Sequence, residues 1–376
     1  MTRLSRLGTV CALLFGVASA CGARTGLPIP TCIGAPLKRV SSPNIYFILD
    51  RSTSMNQQAV SADPAAGSKW QVVRSDIANL MTAVGSEAQF GAAEFPTGGD
   101  DNLCTTGSEV MALQQGDGLP SSTSGSTANA FENATSALPA GGTPTAATFL
   151  ALTPELTGFK GHTFAILATD GGPNCSLAPN EACGPDTCTA NIDGLGCCTP
   201  GTNCCAPQTC AGPINCLDDT RTVAAIAALA HPAQGEGVPT FVIGVPGSDV
   251  EPYPEVLDRM AIAGGTARTN GIGDHLYYAV DTADSSSLVG ALAEIAAQIA
   301  VTCNIELEEP PADPSQVNLV LDGKVIPQSG ASGWTISGNL VTVLGAACDA
   351  VHTVGKTPIV TSGCQTVKSA PDASTP

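Results

Sequence analysis

The chain has 376 residues, with charged side chains at 13% and a formal net charge of −18. That balance excludes nucleic acid as a partner, since phosphate backbones are held by basic surfaces. The length accommodates one large domain and a smaller one, and 43% hydrophobic residues supply a core.

Residues 1–20 read as a signal peptide. Arg3 and Arg6 give a positive start, Leu7 to Val17 a short apolar stretch, and Ala18-Ser19-Ala20 a small-residue cleavage site. Cys21 follows at once, as in a bacterial lipobox, so the expectation is a lipidated N-terminal Cys21. Ala18 stands where such a motif usually carries Leu, and plain secretion after Ala20 is the alternative. Either route exports the chain, with the bacterial cell envelope, as an outer-membrane lipoprotein, the expected location. Residues 21–42, rich in Gly, Pro, Ser and Thr, read as a tether.

Strands and helices then alternate from 43 to 301. Ile45 to Leu49 is a short uncharged β-branched and aromatic run, the pattern of a buried strand. Trp70 to Val84 has helical spacing, with Trp70, Val73, Ile77, Leu80 and Met81 on one face. Gln89 to Phe95 is a strand, Ala128 to Leu138 a helix, and Pro139-Ala140-Gly141-Gly142 breaks it. A helix resumes through Ala147, Phe149 and Leu150. Thr163 to Ala168 is a second buried strand. Thr222 to Ala230, Glu255 to Ile262 and Ser285 to Ile299 are helices, interleaved with strands Pro239 to Val245 and Leu276 to Val280. The expected fold class is therefore α/β, a doubly wound, mostly parallel sheet with helices on both faces. Residues 302–364 alternate in short apolar runs around turn signals such as Asp322-Gly323 and read as a small β-rich disulfide module. Residues 365–376 read as a disordered tail.

Sixteen cysteines, less Cys11 in the signal and Cys21, leave an even 14. In an oxidising compartment an even count reads as disulfides. Nine fall in a Cys-rich insert, 175–216, so full pairing requires a bridge from that cluster to Cys32, Cys104 or one of Cys303, Cys348 and Cys364. The insert has no C-x2-C pair and no His, which counts against zinc.

Three polar motifs fall at or beside the carboxyl ends of the predicted strands. Asp50, Ser52 and Ser54 leave the first strand, Thr143 lies in a Gly-Gly-Thr turn, and Asp170 follows the strand Thr163 to Ala168. In open parallel sheets that edge is where ligands bind. Three hydroxyls and two carboxylates are hard oxygen donors suited to a hard divalent cation. Taken singly, each could be a turn or helix-cap residue.

With D-x-S-x-S at 50–54, G-G-T-P-T at 141–145 and T-D-G at 169–171, residues 43–301 resemble the von Willebrand factor type A family. The resemblance implies a metal-ion-dependent adhesion site binding Mg²⁺, with Mn²⁺ or Ca²⁺ as substitutes. It implies that Ser52 and Ser54 contact the ion, that Thr143 does so directly or through water, and that Asp50 and Asp170 act mainly through water or hydrogen bonds. The expected partner is a protein ligand presenting an Asp or Glu carboxylate, with the membrane reached through the N-terminal lipid. No base–nucleophile pair, H-E-x-x-H, G-x-S-x-G or Walker loop is visible, so a binding protein rather than an enzyme is expected. The alternative is a metal-independent, disulfide-stabilised structural or interaction protein of the envelope.

Overall fold

A computed structural model describes residues 34–37, 42–59, 67–98, 103–175, 192, 212–234, 237–268, 275–280, 287–300, 304–328, 331–354 and 358–368. The signal segment, Cys21 and nearly all of the Cys-rich insert lie outside the described residues.

The strands β1 (Ala35–Pro36), β2 (Asn44–Asp50), β3 (Gln89–Phe95), β4 (Ser108–Gln115), β5 (Thr163–Thr169), β6 (Thr240–Gly244) and β7 (Tyr278–Ala279) are followed by β8 (Asn304–Glu306) and β9 (Val317–Leu321). Strands β10 (Lys324–Ile326), β11 (Trp334–Ser337), β12 (Leu340–Val343) and β13 (Ile359–Ser362) complete the set. The helices are α1 (Lys69–Val84), α2 (Thr127–Ala134), α3 (Thr145–Leu156), α4 (Asp219–Ala230), α5 (Tyr253–Ala263), α6 (Ser287–Ala300) and α7 (Ala346–Val354).

The main sheet runs β4-β3-β2-β5-β6-β7. Its strands are parallel except β4, which is antiparallel to β3. All seven residues of β2 are buried, as expected for a central strand covered on both faces. Successive side chains of a strand point to opposite faces. Ile45, Phe47 and Leu49 join a core with Trp70, Val73 and Ile77 of α1, Phe131 of α2, and Leu292 and Ile295 of α6. Tyr46 and Ile48 face the other way, onto Phe149 of α3, Ile226 of α4 and Leu257 of α5. The expected doubly wound architecture is thus present. Among the described residues, no helix is long and apolar enough to cross a membrane.

Strand β4 was not anticipated. It is an edge strand with one fully buried side chain, Met111, and most of its residues are polar or half-exposed. Little burial means little hydrophobic pattern to read. Helix α2 also stops four residues before the expected Leu138. The Thr135 hydroxyl and N–H both turn back to the Phe131 carbonyl, at 2.8 and 2.9 Å, and close the last turn.

Helix α1 starts with a capping box. The Gln71 N–H donates to the Ser68 hydroxyl at 3.3 Å, and the Ser68 N–H donates to the Gln71 side-chain oxygen at 3.0 Å. Ser68→Ala should therefore lower the unfolding free energy by about 1 kcal/mol. Urea denaturation would show this as a lower midpoint at unchanged slope.

The C-terminal region forms two small antiparallel sheets, β1-β13-β9-β10 and β11-β12-β8. Its core includes Trp334, Val317, Leu319, Val341 and Val360. Cys348 and Cys364 are both disulfide-bonded. Three expectations shift here. The 21–42 tether gives up Ala35–Pro36, which pairs with β13, because the Leu37 N–H donates to the Val360 carbonyl at 2.8 Å and Leu37 packs on the core. The tail expected from 365 stays folded through Lys368, with the Thr366 hydroxyl on the Val317 carbonyl at 2.7 Å and the Val367 N–H on Asn318 at 2.9 Å. Helix α7 adds nine helical residues to a region read as β-rich.

Candidate functional site

Four loops meet at the carboxyl edge of the main sheet: those leaving β2, β3 and β5, and the turn before α3. Asp50 ends β2 and is fully buried. Its Oδ1 accepts the Ser52 N–H at 2.8 Å, and its Oδ2 accepts the Thr169 hydroxyl at 2.6 Å. Both oxygens are thereby committed to shaping the loop. Ser52 is the residue before the short 3₁₀ turn Thr53–Asn56, yet its side chain makes no cap bond. Instead the Ser52 and Ser54 hydroxyls lie 3.0 Å apart, and Ser54 donates to Asp170 Oδ1 at 2.8 Å. The helix-cap alternative for this motif does not describe it.

Thr143 enters through the backbone. The Thr53 N–H donates to the Gly141 carbonyl at 3.0 Å and the Gly141 N–H to the Thr53 hydroxyl at 2.9 Å, tying the turn to the Asp50 loop. The Thr143 N–H donates to Asn174 Oδ1 at 2.6 Å, and the Asn174 N–H donates to the Thr143 carbonyl at 2.9 Å, tying it to the Asp170 loop. Thr143 does not cap α3, whose cap position is Pro144. Among the described residues no hydrogen bond engages the Thr143 hydroxyl, which leaves that oxygen uncommitted. Gly141 has φ +89°, and a Cβ on Gly142 would lie 2.7 Å from the Cys175 sulfur. The two glycines are thus required, the first by conformation and the second by space.

Asp50, Ser52, Ser54, Thr143 and Asp170 are therefore brought to one edge by direct hydrogen bonds or through their neighbours. As a donor set they offer oxygens only, the type a hard divalent cation takes. The set holds just two carboxylates, in keeping with the absence, among the described residues, of any cluster of three or more His, Cys, Asp or Glu. Burial, and then the charge of Asp170, push the Asp50 carboxyl up to about 7, against the pull of the Thr169 and Ser52 hydrogen bonds. Two carboxylates this confined repel each other, and positive charge between them relieves that repulsion.

Residues outside the expected five complete the site. Lys69, in the first turn of α1, places its Nζ 2.7 Å from Asp170 Oδ2 and 3.1 Å from the Gln57 side-chain oxygen, with both ionic partners buried. Arg51 Nη2 donates to the Pro96 carbonyl at 2.6 Å, Nη1 donates to the Leu138 carbonyl, and Nε lies 3.3 Å from Glu94 Oε2. Glu94 is thus an anchor for Arg51. Lys69 escaped the sequence reading because α1 was read for its apolar face. Arg51 escaped because its partners are backbone carbonyls distant in the chain. The Ser68 capping signature was the one signal that could have drawn attention to Lys69. His275 sits 4.0 Å from Asp258, with its ring tilted against that of Tyr277.

Cys104 and Cys175 form a disulfide across 71 residues, so the first cysteine of the insert bridges to one of the expected outside partners. Cys216 is also disulfide-bonded.

No protein-family model matches the chain, and no curated protein matches it. Solved structures similar to it include the pilus adhesin SpaC from Lactobacillus rhamnosus GG in its open conformation. It is 17% identical, with a TM-score of 0.45, covering 87% of this chain and 39% of that one. The vWF domain of the type V pili tip protein Mfa5 from Porphyromonas gingivalis is 11% identical, with a TM-score of 0.42, covering 69% of this chain and 96% of that one. The manganese-loaded TRAP protein from Plasmodium vivax is 12% identical, with a TM-score of 0.36, covering 67% and 74%. The chain spans about two fifths of the length of SpaC. At these values the site rests on its own residues and geometry.

Proposed function

We propose that this chain uses a von Willebrand factor type A-like fold to hold a divalent cation, Mg²⁺ or a related ion, and through it to bind a partner protein's Asp or Glu carboxylate. The observation that carries the reading is the hydroxyl pair Ser52–Ser54, 3.0 Å apart, with Ser54 donating to Asp170, on a loop shaped by the doubly committed Asp50. Ser52 and Ser54 would hold the cation through their hydroxyls, with Thr143 directly or through water. Asp50 and Asp170 would organise them by hydrogen bonds. When bound, the cation supplies positive charge that neutral hydroxyls leave unmet, which is what a carboxylate ligand requires. The export signal and Cys21 support an envelope location with an adhesion-type role, in which a lipid holds the domain to the membrane.

Titrating Mg²⁺ into the wild type and into Asp50→Ala by calorimetry tests the site. Saturable binding in the wild type, weakened roughly tenfold or more in the variant, is expected; a factor of ten corresponds to about 1.4 kcal/mol. Equal affinity in both would remove the assignment. Capture of a carboxylate-bearing partner by the mature protein should be lost in EDTA and restored by Mg²⁺.

The Lys69–Asp170 ion pair favours a second reading, in which the site is compensated without metal and the domain binds its partner through disulfide-stabilised surfaces alone. Partner capture that EDTA leaves unchanged would favour it.

A further inference from the structure

Resting on the divalent-cation reading above, we infer that Lys69 is the site's own counter-cation: its ammonium occupies Asp170 and sets how tightly the site takes a divalent ion. Asp170 has two oxygens with two different partners. Oδ1 receives the Ser54 hydroxyl, which belongs to the candidate coordination set, and Oδ2 receives Lys69 Nζ at 2.7 Å. One carboxylate is shared between the cation site and a resident positive charge.

The contact is built rather than incidental. The Lys69 side chain is 4% exposed and that of Asp170 1%. A buried ammonium is costly unless it is paired and hydrogen-bonded, and Lys69 has both Asp170 and the Gln57 side-chain oxygen. Its niche also needs a glycine. Gly247 has φ +110°, and a Cβ there would stand 2.8 Å from Nζ and 3.1 Å from the Asp170 carbonyl. The first turn of a helix is moreover where a cation is disfavoured by the macrodipole, so the position of Lys69 is explained by its partner and not by the helix. The capping box at Ser68 and Gln71 fixes the turn that carries it.

Asp50 and Asp170 bring negative charge to the edge, and Lys69 returns one positive. Without a divalent ion the ammonium restrains the repulsion between the carboxylates and keeps the edge folded. With one bound, the ammonium and the ion repel across a poorly screened interior. Lys69 therefore stabilises the metal-free state and lowers affinity, so that occupancy changes without loss of the fold.

The test compares the wild type, Lys69→Met and Lys69→Arg as mature protein. Mg²⁺ affinity is read by calorimetry, Mn²⁺ by electron paramagnetic resonance, and melting is followed in EDTA and in saturating Mg²⁺. Lys69→Met should bind Mg²⁺ roughly tenfold or more tighter than the wild type, as expected when one positive charge leaves a poorly screened site. It should melt lower in EDTA, with the gap closing in Mg²⁺. Lys69→Arg, which keeps the charge, should stay near the wild type on both readings. A Lys69→Met protein that folds only when Mg²⁺ is present is the same result in stronger form. Failure to fold even in saturating Mg²⁺ makes Lys69 a scaffold residue and overturns the inference. So does Lys69→Met affinity equal to or weaker than that of a binding wild type, which leaves the divalent-cation reading standing. Absence of binding by both proteins removes that reading and this inference together.

Discussion

Replacing Arg51 by Ala should cost about 3–5 kcal/mol of unfolding free energy, the usual penalty for breaking a buried ion pair from one side. The Arg51 and Glu94 side chains are 7% and 4% exposed, so neither charge falls back on water when its partner goes. The guanidinium also bonds to the carbonyls of Pro96, Gly98 and Leu138. Through these it ties the loop after β3 and the segment before Gly141 to the Asp50 loop. Its own backbone joins in, with the Arg51 N–H on the Phe95 carbonyl at 2.6 Å and its carbonyl accepting the Ala140 N–H at 2.9 Å. The backbone bonds survive the substitution, so the fold should persist with its site edge loosened.

The size of that penalty should depend on pH, in a direction Glu94 dictates. Burial raises its carboxyl to about 7 although Arg51 and Arg74 pull it down. A carboxyl with a raised folded-state pKa binds its proton more tightly folded than unfolded. Its contribution is fully present below the unfolded value near 4.5 and is lost as pH rises towards 7. Without Arg51 the carboxyl rises further, and above pH 7 the folded protein must bury an uncompensated charge or hold a proton against the solution. The destabilisation by Arg51→Ala should therefore be smaller at pH 5 than at pH 8. Urea denaturation at the two pH values checks this, and a larger loss at the acidic one would contradict the assignment.

Arg51 and Lys69 also mark where the sequence stops being legible. Strand β2 could be read because burial on both faces leaves a short run without charge, and helix α1 because burial of one face imposes a period of 3.6 that its buried residues follow. The five site residues could be read because chemistry limits which types can hold a hard cation. Neither signal reports a cation buried beside a carboxylate 101 residues away, as Lys69 is beside Asp170. Such a contact leaves no local pattern, only a charge where a helix start does not favour one. Strand β4 failed for the opposite reason: at the sheet edge it buries too little to need a pattern. The β1–β13 pairing was hidden because a two-residue strand in a Gly- and Pro-containing segment looks the same as a linker until its partner is known.

The double variant Cys104→Ser with Cys175→Ser should test how far the site edge depends on a crosslink. Closing a loop with a sequence separation of 71 restrains the unfolded chain by about 4 kcal/mol on the chain-entropy account. The bridge also acts locally. The Leu103 carbonyl, next to Cys104, accepts the Gly142 N–H at 2.7 Å, and Asn174, next to Cys175, exchanges two hydrogen bonds with Thr143. The disulfide thus clamps both flanks of the turn that presents the Thr143 hydroxyl. Cys175 also holds φ at +63°, a conformation that costs a non-glycine residue about 1–2 kcal/mol and that the crosslink and the Asn174 bonds offset. Removing the bridge should release that residue and widen the positions Thr143 can take. Because Asp50, Ser52 and Ser54 are positioned by their own bonds to Thr169 and Asp170, Mg²⁺ affinity should weaken by less than in Asp50→Ala. A double variant as stable as the wild type in urea would show that the loops are ordered without the bridge. Mg²⁺ binding as weak as in Asp50→Ala would show instead that the bridge orders the whole edge and not Thr143 alone.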